Sequence, residues 1–147
     1  MPQSLSNVAL HVVFSTKHRN PYLTPEIRAE LFPYLGAVLK NFECPPIQIG
    51  GVDDHIHLLF LMARTVTIAQ AVEKVKTSSS KWMKTKNPEF AWQAGYGVFS
   101  VGREDRDGAI RYIRNQDEHH RKLSFQDEYR EMLRLAAVPF DEQYVWD

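Results

Sequence analysis

Ile47 to Met62 reads IQIGGVDDHIHLLFLM. Asp53-Asp54 is turn chemistry between two apolar runs, so the stretch predicts a hairpin of two strands, 47–52 and 55–62. Gly50-Gly51 interrupts the first strand. Side chains alternate faces along a strand. His55 and His57 therefore leave one face, about 7 Å apart at ~3.3 Å per residue, while Ile56 enters the other. Two imidazoles so placed can share a metal ion, although a pair of hydrogen-bonded strand histidines is the commoner meaning of His-x-His taken alone.

Working outward, Val8, Leu10, Val12 and Phe14 mark one face of a first strand, followed by a basic loop from Lys17 to Tyr22. Thr24-Pro25-Glu26 opens a helix, with Thr24 as N-cap and Pro25 at its first position. Ile27, Leu31, Leu35, Val38, Leu39 and Phe42 form its apolar stripe. Pro33 inside that stripe predicts a kink or a later start. After the hairpin, Thr67 caps a second helix with Ile68, Val72, Val75, Ser79, Trp82 and Met83 inward and Lys74, Lys76, Lys81, Lys84 and Lys86 outward. An aromatic loop, 92–97, precedes a fourth strand, 98–101. Asp105 or Asp107 caps one helix running to about Lys122. Ser124-Phe125-Gln126-Asp127 resembles a capping box for a last helix that ends before Pro139.

The order β-α-β-β-α-β-α-α predicts an α+β domain. Its first six elements match the ferredoxin-like split βαββαβ antiparallel sheet, with additional C-terminal helices, one carrying a tyrosine. Two helices cover one sheet face. The other face needs a cover, for which a second subunit is one candidate.

The chain has 147 residues, 44% of them hydrophobic, enough for a single domain (1–147, core about 8–122) and too few for two. One cysteine, Cys44, excludes an internal disulfide framework and a multi-cysteine zinc site, and fits a reducing cytoplasm. No apolar run is long enough for a membrane span, and no signal peptide is visible. Net charge is zero. Residues 1–125 carry 16 bases against 12 acids, whereas the tail from Gln126 carries six acids against two bases.

Arg111 to His120 reads RYIRNQDEHH. Tyr112 and Gln116 share a helix face, and His119 and His120 follow one turn later. A phenol can attack phosphorus to give a phosphotyrosine. Two imidazoles and an amide oxygen can hold a divalent ion that polarises the phosphate, Mg or Mn being suited by the oxygen ligands and Zn, Co or Ni by the imidazoles. Packing is the bland meaning of each feature alone.

Taken together, the segments resemble the HUH-type single-tyrosine transposases, the small insertion-sequence enzymes and their REP-associated relatives. His55-Ile56-His57 matches the His-hydrophobic-His triplet. Leu10 to Arg19 (LHVVFSTKHR), Trp92 to Val101 (WQAGYGVFSV) and Tyr112 to His120 match the first strand, the last strand and the tyrosine helix, in order along the chain. The resemblance implies cutting and rejoining of single-stranded DNA at insertion-sequence ends, with Tyr112 as nucleophile and a 5′-phosphotyrosine intermediate. It implies His55, His57 and Gln116 as ligands of a divalent metal, Mg or Mn, hairpin-bearing single-stranded DNA as partner, and a homodimer in which one tyrosine helix often completes the other subunit's site. Lys17, Arg19, Lys76, Lys81 and Lys84 are candidates for phosphate contacts. Asp54 is a turn residue or a partner that orients His55. Trp82 and Trp92 fit base stacking or core packing. Two other readings stay open: a non-catalytic hairpin-binding regulator derived from a transposase, and a metal-dependent hydrolase of small phosphates.

Overall fold

A computed structural model describes residues 2–147. Four strands, β1 (Ala9–Ser15), β2 (Pro46–Gly51), β3 (His55–Leu61) and β4 (Gly97–Val101), form one sheet in the order β2-β3-β1-β4, every neighbour antiparallel. That is the ferredoxin-like order. Helices α1 (Pro25–Asn41) and α2 (Ile68–Lys84) connect the strands, and α3 (Arg106–Arg114), α4 (Gln116–His119) and α5 (Phe125–Leu135) follow.

The pleat divides the sheet's residues between two interiors. Leu10, Val12 and Phe14 of β1 and Ile56, Leu58 and Phe60 of β3 pack with α1 and α2 into the main core, which also takes up Phe90 and Trp92. Thr24 caps α1 as its spacing predicts, accepting from the Ile27 N–H at 3.3 Å. The helix runs unbroken through Pro33, which sits on its exposed side, so the carbonyl that Pro33 leaves unpaired faces water. Thr67 and Gln70 close a reciprocal capping box at the start of α2. The inward stripe of α2 holds at Val72, Val75, Ser79 and Met83, but Ile68 is exposed and Trp82 lies half-buried, stacked on Tyr34. Trp92 is a core residue, edge-on to Phe14 and donating to the Ser79 hydroxyl at 2.9 Å.

The opposite sheet face is covered by this chain's own C-terminal helices. Phe125, Tyr129 and Leu133 of α5 bury against Val13 and Phe99, and Ile113 of α3 packs on Ala9 and Leu59. The acidic tail is thus a docked amphipathic helix whose charges face outward, with the exception of Glu128, which is buried on the inner side. The single helix expected over 105–122 is broken at Asn115 (φ −98°, ψ 24°) into α3 and α4. Strand β2 continues through Gly50-Gly51, because a missing side chain is what α3 requires there. A Cβ on Gly50 would stand 2.8 Å from Ile113 Cγ2 and press on its carbonyl oxygen.

Gly50→Val is expected to cost about 1–3 kcal/mol by forcing α3 off the sheet. Denaturant unfolding measures it, and a stability equal to wild type would show that α3 does not depend on this close approach.

Candidate metal centre and tyrosine

Central strand β3 presents His55 and His57 away from the main core, as its alternation requires, and both are fully buried under the C-terminal helices. Hydrogen bonds behind the rings set their orientation. His55 Nδ1 lies 2.7 Å from Asp54 Oδ1, and His57 Nδ1 lies 2.7 Å from His11 Nε2 on β1. Asp54 is therefore both a turn residue and an orienting partner. His120, just after α4, places Nδ1 2.6 Å from the Leu123 carbonyl oxygen. A carbonyl only accepts, so Nδ1 carries a proton and Nε2 is the atom turned towards the cluster.

All three Nε2 atoms converge on Glu128 of α5. Its Oε1 lies 3.2 Å from His55, 3.1 Å from His57 and 3.1 Å from His120. Its Oε2 accepts from the Tyr112 hydroxyl in a short contact and from Gln116 Nε2 at 3.1 Å. Gln116 Oε1 lies 3.1 Å from His55 Nε2, and His119 Nε2 lies 3.3 Å from the Tyr112 hydroxyl. The sequence-predicted set of His55, His57, Tyr112 and Gln116 is thus gathered in one place, within one chain. His11, His120 and Glu128 are additions.

Electrostatics follow from dryness. Burial alone pushes the His55 imidazole down, but hydrogen bonds to Asp54 and Glu128 outweigh it and hold the ring at about 9. Burial drops His57 to about 4 against the opposing hydrogen bond and charge of Glu128, and burial together with the neighbouring His57 drops His11 to about 3. Burial opposes ionisation of Glu128, yet the imidazoles of His120, His55 and His57 gathered around it keep its carboxyl well below the carboxylate range. Burial first, then the Glu128 charge, pushes the Tyr112 phenol above its ordinary value.

The donor set fits a divalent cation. His55, His57, His120 and Glu128 offer ligand atoms within 4.8 Å of one another. Buried His120 Nε2 makes no hydrogen bond in the protein although it points into the cluster. An ion would satisfy that nitrogen along with its neighbours. Three imidazole nitrogens with oxygen ligands favour Mn or a later first-row ion over Mg.

The candidate phosphate contacts line a separate wall. A cleft of about 570 Å³ is bordered by Lys76, Lys81, Lys84 and residues 91–94, and one of about 370 Å³ by Lys17, Arg19, the same 91–94 segment and Trp146. All five cations therefore flank one loop. Lys76 also holds that loop in place, donating to the carbonyls of Gln93, Ala94 and Gly95 at 2.7, 3.0 and 2.8 Å. Arg19 lies 6.0 Å from the Trp146 ring.

Fold and site together define a ferredoxin-like α+β protein with a histidine-rich cluster able to hold a cation, set against a half-buried tyrosine. The family model described as IS200-like transposase matches residues 4–116, so the chain belongs to that family. Among solved structures it is similar to a candidate transposase from Deinococcus radiodurans R1 (TM-score 0.64, 22% identity, covering 79% of this chain and 95% of that one). It is also similar to a REP-associated tyrosine transposase bound to a REP hairpin (TM-score 0.62, 11% identity, 82% and 72% covered). No curated protein matches the sequence.

Linkage fixes the pH response of the metal-free protein. His55, raised to about 9, contributes stability that is complete below 6.5 and is lost as pH rises towards 9. His57 and His11, lowered to about 4 and about 3, are neutral in the fold while the unfolded chain protonates below 6.5, so stability also falls on the acid side. Unfolding midpoints in chelator are expected to peak near pH 6.5, and a midpoint still rising from pH 7 to 9 would contradict the assigned His55 charge.

Proposed function

We propose that this protein cuts and rejoins single-stranded DNA at insertion-sequence ends through a 5′-phosphotyrosine on Tyr112. The observation that carries the reading is the meeting of Tyr112, Gln116, His55 and His57 at one buried point, on a chain of the transposase family. In this reading His55, His57 and Gln116 hold a divalent metal, Mg or Mn, which when bound polarises the scissile phosphate. The Tyr112 hydroxyl attacks phosphorus, the bond to the 3′ oxygen breaks, and a free 3′-OH is left for rejoining.

The dry site must open to admit DNA. His55 and His57 are fully buried, but Tyr112 is half-buried, and its neighbour His119 lines an open cleft of about 740 Å³ with Arg121 and Lys122. A phosphate entering there meets Arg121 and Lys122 beside Glu118, with the phenol behind His119. Lys17, Arg19, Lys81 and Lys84 supply backbone contacts along the 91–94 loop, which Lys76, its three donors spent on the loop's carbonyls, holds in place beneath them; shape and phosphate readout there suit a hairpin better than a sequence code. Homodimer formation is part of the reading, as is a cytoplasmic location. No helix among the described residues is long and apolar enough to cross a membrane.

Incubation with Mn or Mg and a labelled hairpin-bearing single strand is expected to give a covalent adduct on a denaturing gel. Tyr112→Phe should abolish it, and His55→Ala with His57→Ala should slow it at least ~100-fold while hairpin binding persists. Binding without scission by the wild type would favour the regulator. Turnover of small phosphodiesters with no covalent species would favour the hydrolase.

A further inference from the structure

Glu128 lies beyond residues 4–116, the part of the chain that matches the family model, yet it occupies the centre of the site. It is held there by packing: Phe125, Tyr129 and Leu133 dock α5 on the sheet, and Tyr129 lies so close to Gly97 that a Cβ there would stand 2.6 Å from its ring. Burying a carboxylate is costly unless something needs it, and this one is spent at both ends. Oε1 faces the three imidazole Nε2 atoms at 3.1–3.2 Å, and Oε2 takes the hydrogen bond of the Tyr112 hydroxyl. An imidazole whose Nδ1 is already donating outward, as in His55 and His120, offers Nε2 as a metal ligand. The oxygen in their midst is then part of the same coordination sphere.

We propose that Glu128 is a catalytic residue that bridges the metal and the nucleophile, ligating the divalent ion through one carboxylate oxygen and accepting the Tyr112 phenolic proton through the other. The proposal rests on the strand-cutting reading above. As the Tyr112 oxygen bonds to phosphorus, the bond to the 3′ oxygen breaks. The phenolic proton passes to Glu128 Oε2, and the departing 3′ oxygen takes a proton from Glu128 or water. The phenol becomes strongly acidic while its oxygen bonds to phosphorus, so a carboxylate is a sufficient acceptor at that moment. Residues 4–116 alone would supply the two β3 imidazoles, the carboxamide and the phenol but leave the phenol with no anionic acceptor.

The test compares full-length wild type with Glu128→Gln, which preserves shape and removes the charge. Calorimetric titration with MnCl2 alone is expected to show Glu128→Gln binding at least ~10-fold more weakly. At saturating Mn, adduct formation on the hairpin strand should fall at least ~100-fold. Equal Mn affinity in the two proteins, or an unchanged adduct rate at saturation, overturns the proposal. Should the variant not fold by circular dichroism, carbon-13 carboxyl NMR of glutamate-labelled wild type decides. One buried glutamate resonance should shift on adding MgCl2, and a spectrum without that shift overturns the bridging role. If the wild type forms no adduct, or Tyr112→Phe forms as much, the strand-cutting reading fails separately, while the Mn titration still judges Glu128 as a ligand.

Discussion

A carboxylate surrounded by three imidazoles and a phenol can stay buried only while charge inside the cluster balances, and the C-terminal third of this protein is arranged around that requirement. Glu128 stays ionised because His55, His57 and His120 direct nitrogen atoms at it. His55 in turn holds its proton because Asp54 and Glu128 flank it. Isolated, either group would be neutralised by desolvation. The cluster is therefore an obligate partnership between the central strand and helix α5, and a divalent cation can take the place of the protons it holds.

The same partnership explains the sheet's two-sidedness. One face carries an aliphatic and aromatic core against α1 and α2. The other carries His11, Val13, Ser15, His55 and His57, too polar to be buried by apolar side chains alone. Helices α3 to α5 meet it with matching chemistry: Ile113, Phe125, Tyr129 and Leu133 over the apolar positions, Gln116 and Glu128 over the imidazoles. Gly50 and Gly97 let α3 and α5 come close enough for these hydrogen bonds to be made.

Conformational change enters through the site's dryness. His55 and His57 have no exposure, while α4 is a single turn between two non-helical junctions, Asn115 and His120. Few tertiary contacts hold such a segment, so it is the natural place for opening. The basic wall at residues 91–94 is rigid by contrast, tied down by all three donors of Lys76.

Local order was written in the sequence. Tyr112 and Gln116 meet, as their four-residue spacing predicts, although the helix breaks at Asn115 between them. Alternation in β3 determined that His55 and His57 share a face with Ile56 opposite, because that pattern is backbone geometry. Caps at Thr24, Thr67 and Ser124 placed three helix starts for the same reason. The break at Asn115, the passage of β2 through two glycines and the self-covered sheet face depended on what packs against each segment. His57 and Glu128 are 71 residues apart, so no spacing rule could join them. The available signal was an acid set among Phe125, Tyr129 and Leu133 on the buried side of α5. That a charge belongs there became intelligible only once tertiary packing had brought three imidazoles to meet it.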